Sequence, residues 1–250
     1  MEPSLWFVAR VRTAEQATAW VDGVGLALLF PKANVVLPSL WEQVNGSREE
    51  NWSRRDSDGV FLGWSKALEI TWGLKDELPG RGFVCVGKHL ARMVALVSPA
   101  RLPALIAARP ERELDAVESE VLEAVRAAGE PVTAPELRDL LGRDKKTIEK
   151  TVVSLHRQLL LTNGHLDESR GGWGALAHDL LARKWRLAKR LPAQAAARRE
   201  LAGLVLASAG ELSAADLGGA LGWRRAEAAA VLDEIAEARD GGGFRVWTRP

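Results

Sequence analysis

The sequence predicts a mainly helical α+β protein, and three observations carry that prediction. Apolar residues spaced three and four apart run through much of the C-terminal half, with cap residues at the starts of these stretches and glycines at their ends. Short apolar runs bounded by glycine follow the helical stretches, as strands do. The C-terminal half also repeats itself, with Thr133 answered by Ser213 and Leu137 by Leu217, an offset of 80 residues. With 250 residues, 47% of them apolar, the chain can bury more than one small core. Its 34 Lys and Arg against 33 Asp and Glu leave a net charge of +1, so only the distribution of charge can point to a polyanion.

The two copies cover 127–155 and 208–235. In the helix before each, Val121 and Val125 match Leu201 and Val205, each pair four residues apart on one helical face. Thr133-x-x-Glu136 matches Ser213-x-x-Asp216. The hydroxyl can cap a free backbone N–H, Glu136 can close the reciprocal box, and Asp216 suits the positive end of a helix. Gly142 and Gly222 can then stop both short helices. A third helix follows, with stripes Ile148, Val152, Leu155 and Ala228, Leu232, Ile235. A hairpin is predicted after each: 159–173, turning at Asn163-Gly164, and 240–247.

Helix, short capped helix, turn, longer helix and hairpin is the order of a winged helix-turn-helix. The predicted architecture is therefore a pair of tandem winged helix-turn-helix modules behind an N-terminal α/β domain. Its boundaries are a Trp-rich α+β domain at 1–110, winged-helix module 1 at 111–174, a basic helical linker at 175–192 and winged-helix module 2 at 193–250. The competing reading is a pair of small helical domains used for packing or dimerisation.

Residues 111–170 hold 9 basic and 13 acidic side chains, and residues 171–250 hold 12 and 9. The first helix of module 1 is acidic, from Glu111 through Glu118 to Glu123, and is expected to face solvent or a partner. The third helix differs: Arg143, Lys145, Lys146 and Lys150 gather at its start, with His156 and Arg157 near its end. Lys145 and Lys146 are expected at backbone phosphates, and Thr147 and Lys150 at base edges. Arg170 in the wing adds a cation. In module 2, Arg224 and Arg225 are phosphate candidates, but the alanines that follow suit helix packing better than base reading.

The most basic stretch lies between the copies. Residues 183–199 hold seven cations and no acid, among them Arg183, Lys184, Arg186, Lys189 and Arg190. Pro192 divides the stretch, so 176–189 reads as one helix. A solvated polar face competes with nucleic acid here. A membrane surface fits poorly, because the apolar face of that helix is short.

The N-terminal 110 residues hold six of the ten tryptophans. Residues 13–23 read as a short amphipathic helix and 26–30 as a buried element. Ser39 is expected to start a helix ending near Gly46, and 83–86 and 93–97 read as strands. In 51–77, tryptophans interleave with Arg54, Arg55, Lys66 and Lys75, a texture that fills a core or stacks on bases. Asp76 and Glu77 are carboxylates within reach of general-base work, though adjacency does not place them on one face.

Several classes are disfavoured. One cysteine, Cys85, forms no internal disulfide. Its apolar neighbours point to a buried thiol, with pairing to His89 as the nucleophilic alternative. The four histidines form no evident ligand set, so no metal or other cofactor is expected. No glycine-rich phosphate loop is present. No leader is evident and no apolar run is long enough to span a bilayer, so a cytoplasmic protein without membrane contact is expected.

Three blocks carry a family resemblance: 25–31 (GLALLFP), 37–46 (LPSLWEQVNG) and 72–79 (WGLKDELP). They resemble small bacterial proteins related to the AlkZ/YcaQ DNA glycosylases. That resemblance implies tandem winged helices and an association with DNA. It also implies, for true glycosylases of the family, a Gln-x-Gln or Gln-x-Asp motif. Here the nearest triplet is Gln43-Val44-Asn45, with a neutral amide at its end, and catalysis is not carried onto it. The expectation is a non-enzymatic DNA-binding protein acting on double-stranded DNA, in repair or transcription. The alternatives are a repair enzyme with an atypical site and a winged-helix interaction scaffold. A second copy or another protein is left open as a partner.

Overall fold

The computed structural model describes residues 10–110, 112–169, 174–187, 190–241 and 244–248. Along them one arrangement occurs three times. The first unit is α1 (Ala14–Val24), β1 (Leu26–Leu28), α2 (Leu40–Asn45), α3 (Lys66–Arg81), β4 (Cys85–Leu90) and β5 (Met93–Val97), with a hairpin, β2 (Ser53–Arg55) and β3 (Phe61–Trp64), inserted between α2 and α3. After the linking helix α4 (Leu102–Ala108) comes the second unit: α5 (Ala116–Ala128), β6 (Val132–Thr133), α6 (Ala134–Leu141), α7 (Lys145–Arg157), β7 (Leu161–Asp167) and β8 (Ala175–Leu180). A short helix α8 (Leu181–Lys184) leads to the third: α9 (Gln194–Ala209), β9 (Glu211–Ser213), α10 (Ala214–Leu221), α11 (Arg225–Ile235), β10 (Glu237–Gly241) and β11 (Phe244–Thr248). Each unit closes a three-stranded antiparallel sheet with its last strand in the middle: β1-β5-β4, β6-β8-β7 and β9-β11-β10.

Local chemistry sets the starts and stops. Thr13, Ser39, Asp115, Thr133 and Ser213 each form a reciprocal capping box with the residue three positions on. Thr133 and Ser213 begin helices of 8 residues each, and Gly142 and Gly222 end them in the left-handed conformation.

Burial sorts the side chains. In the first sheet, Leu26 and Leu28 turn to one core and Ala27 and Leu29 to the opposite one, so both faces of β1 are covered. The first of these cores runs without a break into the third unit, where Leu201, Val205, Leu217 and Leu232 join it. The second unit has its own core around Val121, Val125, Ile148, Val152 and Leu155. No helix among the described residues is long and apolar enough to cross a membrane.

Three sequence readings need correction. The linker helix expected over 176–189 begins instead as strand β8, which pairs with both β6 and β7, and only Leu181–Lys184 is helical. Sheet hydrogen bonds from two sides, supplied by distant segments, override the helical reading. Asn163-Gly164 is not the turn of the second unit's hairpin. It lies inside β7 at a register shift, where a Cβ on Gly164 would sit 2.9 Å from the Pro131 side chain. Glu118 of the acidic first helix faces inward, where Arg112, Ser154 and Gln158 donate to it.

Candidate nucleic-acid interface

α7 buries Ile148, Val152 and Leu155 and leaves Lys145, Lys146 and Lys150 exposed at its start. Asp144 caps the helix by accepting from the Thr147 backbone N–H (3.0 Å) and hydroxyl (2.6 Å). These bonds spend the hydroxyl proton of Thr147 on Asp144. The Thr147 hydrogen bonds lead the influences that hold the Asp144 carboxyl below its ordinary range. Lys145 lies 3.8 Å from Glu149, and Arg143 is tied to Glu120 at 2.9 Å. Among the described residues, Lys146 and Lys150 meet no carboxylate. Lys145 and Glu149 also line a cavity of about 530 Å³ shared with Lys88, Arg138 and His178.

The basic segment after β8 divides by role. Arg183 donates to Asp179 at 2.6 Å and to the Val125 carbonyl. Lys184 reaches the carbonyls of Pro79, Asn163 (2.9 Å) and Gly164 (2.6 Å), and so fastens α3 to β7. Burial lowers its pKa. All three ammonium protons have acceptors, which makes Lys184 a clamp between units rather than a free phosphate contact. Arg186 and Arg190 are exposed. Lys189 and Arg170 lie outside the described residues. In the third unit, Arg224 pairs with Glu227 at 3.1 Å and Arg225 is exposed. Arg157, at the end of α7, is exposed.

A polar cluster that sequence reasoning missed joins the first and second units. His89 Nδ1 lies 2.8 Å from the His156 carbonyl. A carbonyl can only accept, so His89 carries its proton on Nδ1, and its Nε2 faces Cys85 Sγ at 3.4 Å. The Lys88 backbone N–H donates to His156 Nδ1 (3.2 Å), so His156 is protonated on Nε2 and donates to His178 Nδ1 (3.2 Å). Because their Nδ1 atoms accept, His156 and His178 must both be neutral for these bonds to form. Burial leads the causes that hold His89 and His178 down at about 4 and His156 well below its ordinary value. Burial likewise pushes the Cys85 thiol up to about 12. The pairing of Cys85 with His89 is real in space, but the thiol stays protonated at neutral pH, which removes it as a nucleophile. Spacings of 67 and 22 residues between these histidines follow no ligand pattern, so nothing local in the sequence signals the cluster.

In the first unit, Trp41 is fully buried and packs against Trp52, with ring centroids 4.3 Å apart, and against Phe30. Trp64 and Trp72 are exposed, as are Val60, Phe61 and Leu62 of the inserted hairpin. The Trp-rich stretch is thus part core and part surface. Glu77 is paired with Arg81 and Asp76 with Lys75, both at 2.5 Å. Gln43 is fully buried on α2, and its amide N and O have no partner among the described residues. Asn45 donates to the Ser47 and Glu49 carbonyls.

A threefold helix-and-sheet layout places this chain in a fold already seen in a solved protein. The Streptomyces sahachiroi DNA glycosylase AlkZ superposes with a TM-score of 0.56 at 11% identity, over 98% of this chain and 66% of that one. The present chain therefore spans just under two thirds of that protein. The family model described as DNA glycosylase AlkZ-like matches residues 87–250, and the chain belongs to that family. A comparison with curated protein sequences gave no match.

Proposed function

We propose that this chain is a DNA-binding protein of the DNA-repair sphere, built from winged helices and binding duplex DNA without excising bases. Helix, strand, two helices and a hairpin, with the last strand central, is the winged-helix order, and all three units have it. The observation that carries the reading is on α7. Lys146 and Lys150 stand exposed one turn apart on the third helix of such a unit, with no carboxylate partner among the described residues. Arg186 and Arg190 are further exposed cations, and Lys184, spent on carbonyls, drops out of the interface.

The expected result is a steep fall of duplex affinity with salt, read by fluorescence anisotropy. Replacing Lys146 and Lys150 by alanine lowers the slope of log affinity against log salt by about 1 for each phosphate no longer neutralised. No binding by the unaltered protein at low salt, or an unchanged slope in the double variant, overturns the reading.

One observation favours a glycosylase instead: the unpartnered Gln43 amide, since an unsatisfied buried polar group calls for an explanation. Against it, the side chain is sealed from solvent and the third residue of its triplet is an amide tied to the next loop. An alkylated duplex should release no free base above a buffer control. Release that Gln43→Ala abolishes would establish the enzymatic reading.

A further inference from the structure

We infer that the cavity where the three units meet is a phosphate-binding site built on Arg92, Arg109, Arg112, Arg157 and Lys32. The cavity measures about 640 Å³, and these five cations line it without a lining carboxylate among the described residues. In a chain whose net charge is +1, that concentration is not compositional. The walls come from all three units: the β4–β5 turn, the segment after α4, the end of α7, and Gly219 and Gly222 around the end of α10. Both glycines face open space where a side chain would stand, so backbone borders the cavity there.

Three observations point to a ligand rather than to packing. Arg109 has a buried Nη1 without a hydrogen-bond partner among the described residues. Burial lowers the pKa of Arg157, and Arg92 and Arg112 lower it further by repulsion, so the guanidinium groups oppose one another around the cavity. The β4–β5 turn is the third. Leu90 pairs with Met93, which leaves Ala91 and Arg92 as a two-residue loop with φ of 49° and 59°. Both residues are left-handed in a turn that asparagine and glycine form with far less strain. Backbone outliers of this kind cluster at ligand-binding sites, and here one carries an arginine on the rim of a cationic cavity.

Helix ends account for part of the charge, since α4 and α7 finish here and favour a cation each. Glu118 holds Arg112. Neither accounts for Arg92. A phosphate group matches the whole set, since arginine forks bind it through paired, charge-assisted hydrogen bonds. Its source is assigned to a backbone phosphate of bound DNA, and that assignment rests on the function proposed above. The phosphate chemistry itself does not.

The test uses the full chain, inorganic phosphate and a labelled duplex, with Arg92→Gly and Arg157→Gln combined. Thermal unfolding at matched ionic strength should show phosphate raising Tm over chloride in the unaltered protein and not in the variant. Arg92→Gly alone should not lower Tm in chloride, because glycine relieves the positive φ; this guards against a misfolded variant. Duplex affinity should fall about tenfold for each charge-assisted hydrogen bond removed, and the salt slope by about 1 for each phosphate released. Phosphate stabilisation with unchanged duplex affinity keeps the site and assigns it to a free phosphate-bearing ligand. A protein that responds to phosphate no more than to chloride, and whose variant binds duplex as before, overturns the proposal.

Discussion

Acidification from pH 6.5 to 4 destabilises this protein steeply, and the histidine chain between the first and second units is the cause. An unfolded histidine titrates near 6.5, whereas His89 is held at about 4 by burial. Between those values the unfolded chain binds more protons than the folded one. Stability is therefore full above pH 6.5 and drains as pH falls toward 4. For His89 alone the loss is on the order of 3 kcal/mol, because each tenfold drop in proton affinity on folding is worth about 1.4 kcal/mol. His156 and His178 are lowered as well, but the rings share hydrogen bonds, so their contributions do not add. Glu227, held at about 2 chiefly by Arg224, acts in a separate window below pH 4.5. Urea unfolding at pH 7.5, 6, 5 and 4.5 reads the effect, and His89→Gln should flatten the profile. A free energy of unfolding that stays constant from 7 to 4.5 contradicts this account.

The second large effect is expected at Gly87. A Cβ there would stand 2.5 Å from His156 Nδ1 and 2.5 Å from His89 Nε2. Neither ring can step aside without breaking the bonds to the Lys88 N–H, the His156 carbonyl or Cys85. Overpacking and broken buried hydrogen bonds together put the cost of Gly87→Ala at roughly 2–4 kcal/mol. Gly73→Ala, where nothing lies within 4 Å of the added methyl, serves as the control. Chemical denaturation separates the two, and equal stability of the two variants would show that the histidine cluster yields to the methyl group.

Local elements are readable because their signals are local. Thr133, Ser213, Gly142 and Gly222 mark two short helices by capping chemistry alone. Ser39 and Gly46 bracket α2 in the same way. The occurrence of the layout in the first unit is not readable. Its short helix and its third helix are separated by the β2–β3 hairpin, which breaks the spacing that links the other two. β8 reads as helix because its apolar residues fit both periods, and only pairing with β6 and β7 decides between them.

The candidate interface divides along the same line. Sequence alone identifies the cations on α7 and after β8, because charge density needs no fold to be seen. It cannot tell Lys146, exposed and free of carboxylates among the described residues, from Lys184, whose three protons go to carbonyls of Pro79, Asn163 and Gly164. It holds no hint that Arg92, Arg109 and Arg157 share one cavity, or that three histidines from distant segments form one hydrogen-bonded chain. Composition, caps and helical period are properties of neighbours along the chain, and the sequence by itself determined those. Which charges are spent on carbonyls, which are left for a ligand and which rings must stay neutral depend on contacts between segments that only the packing of the three units brings together.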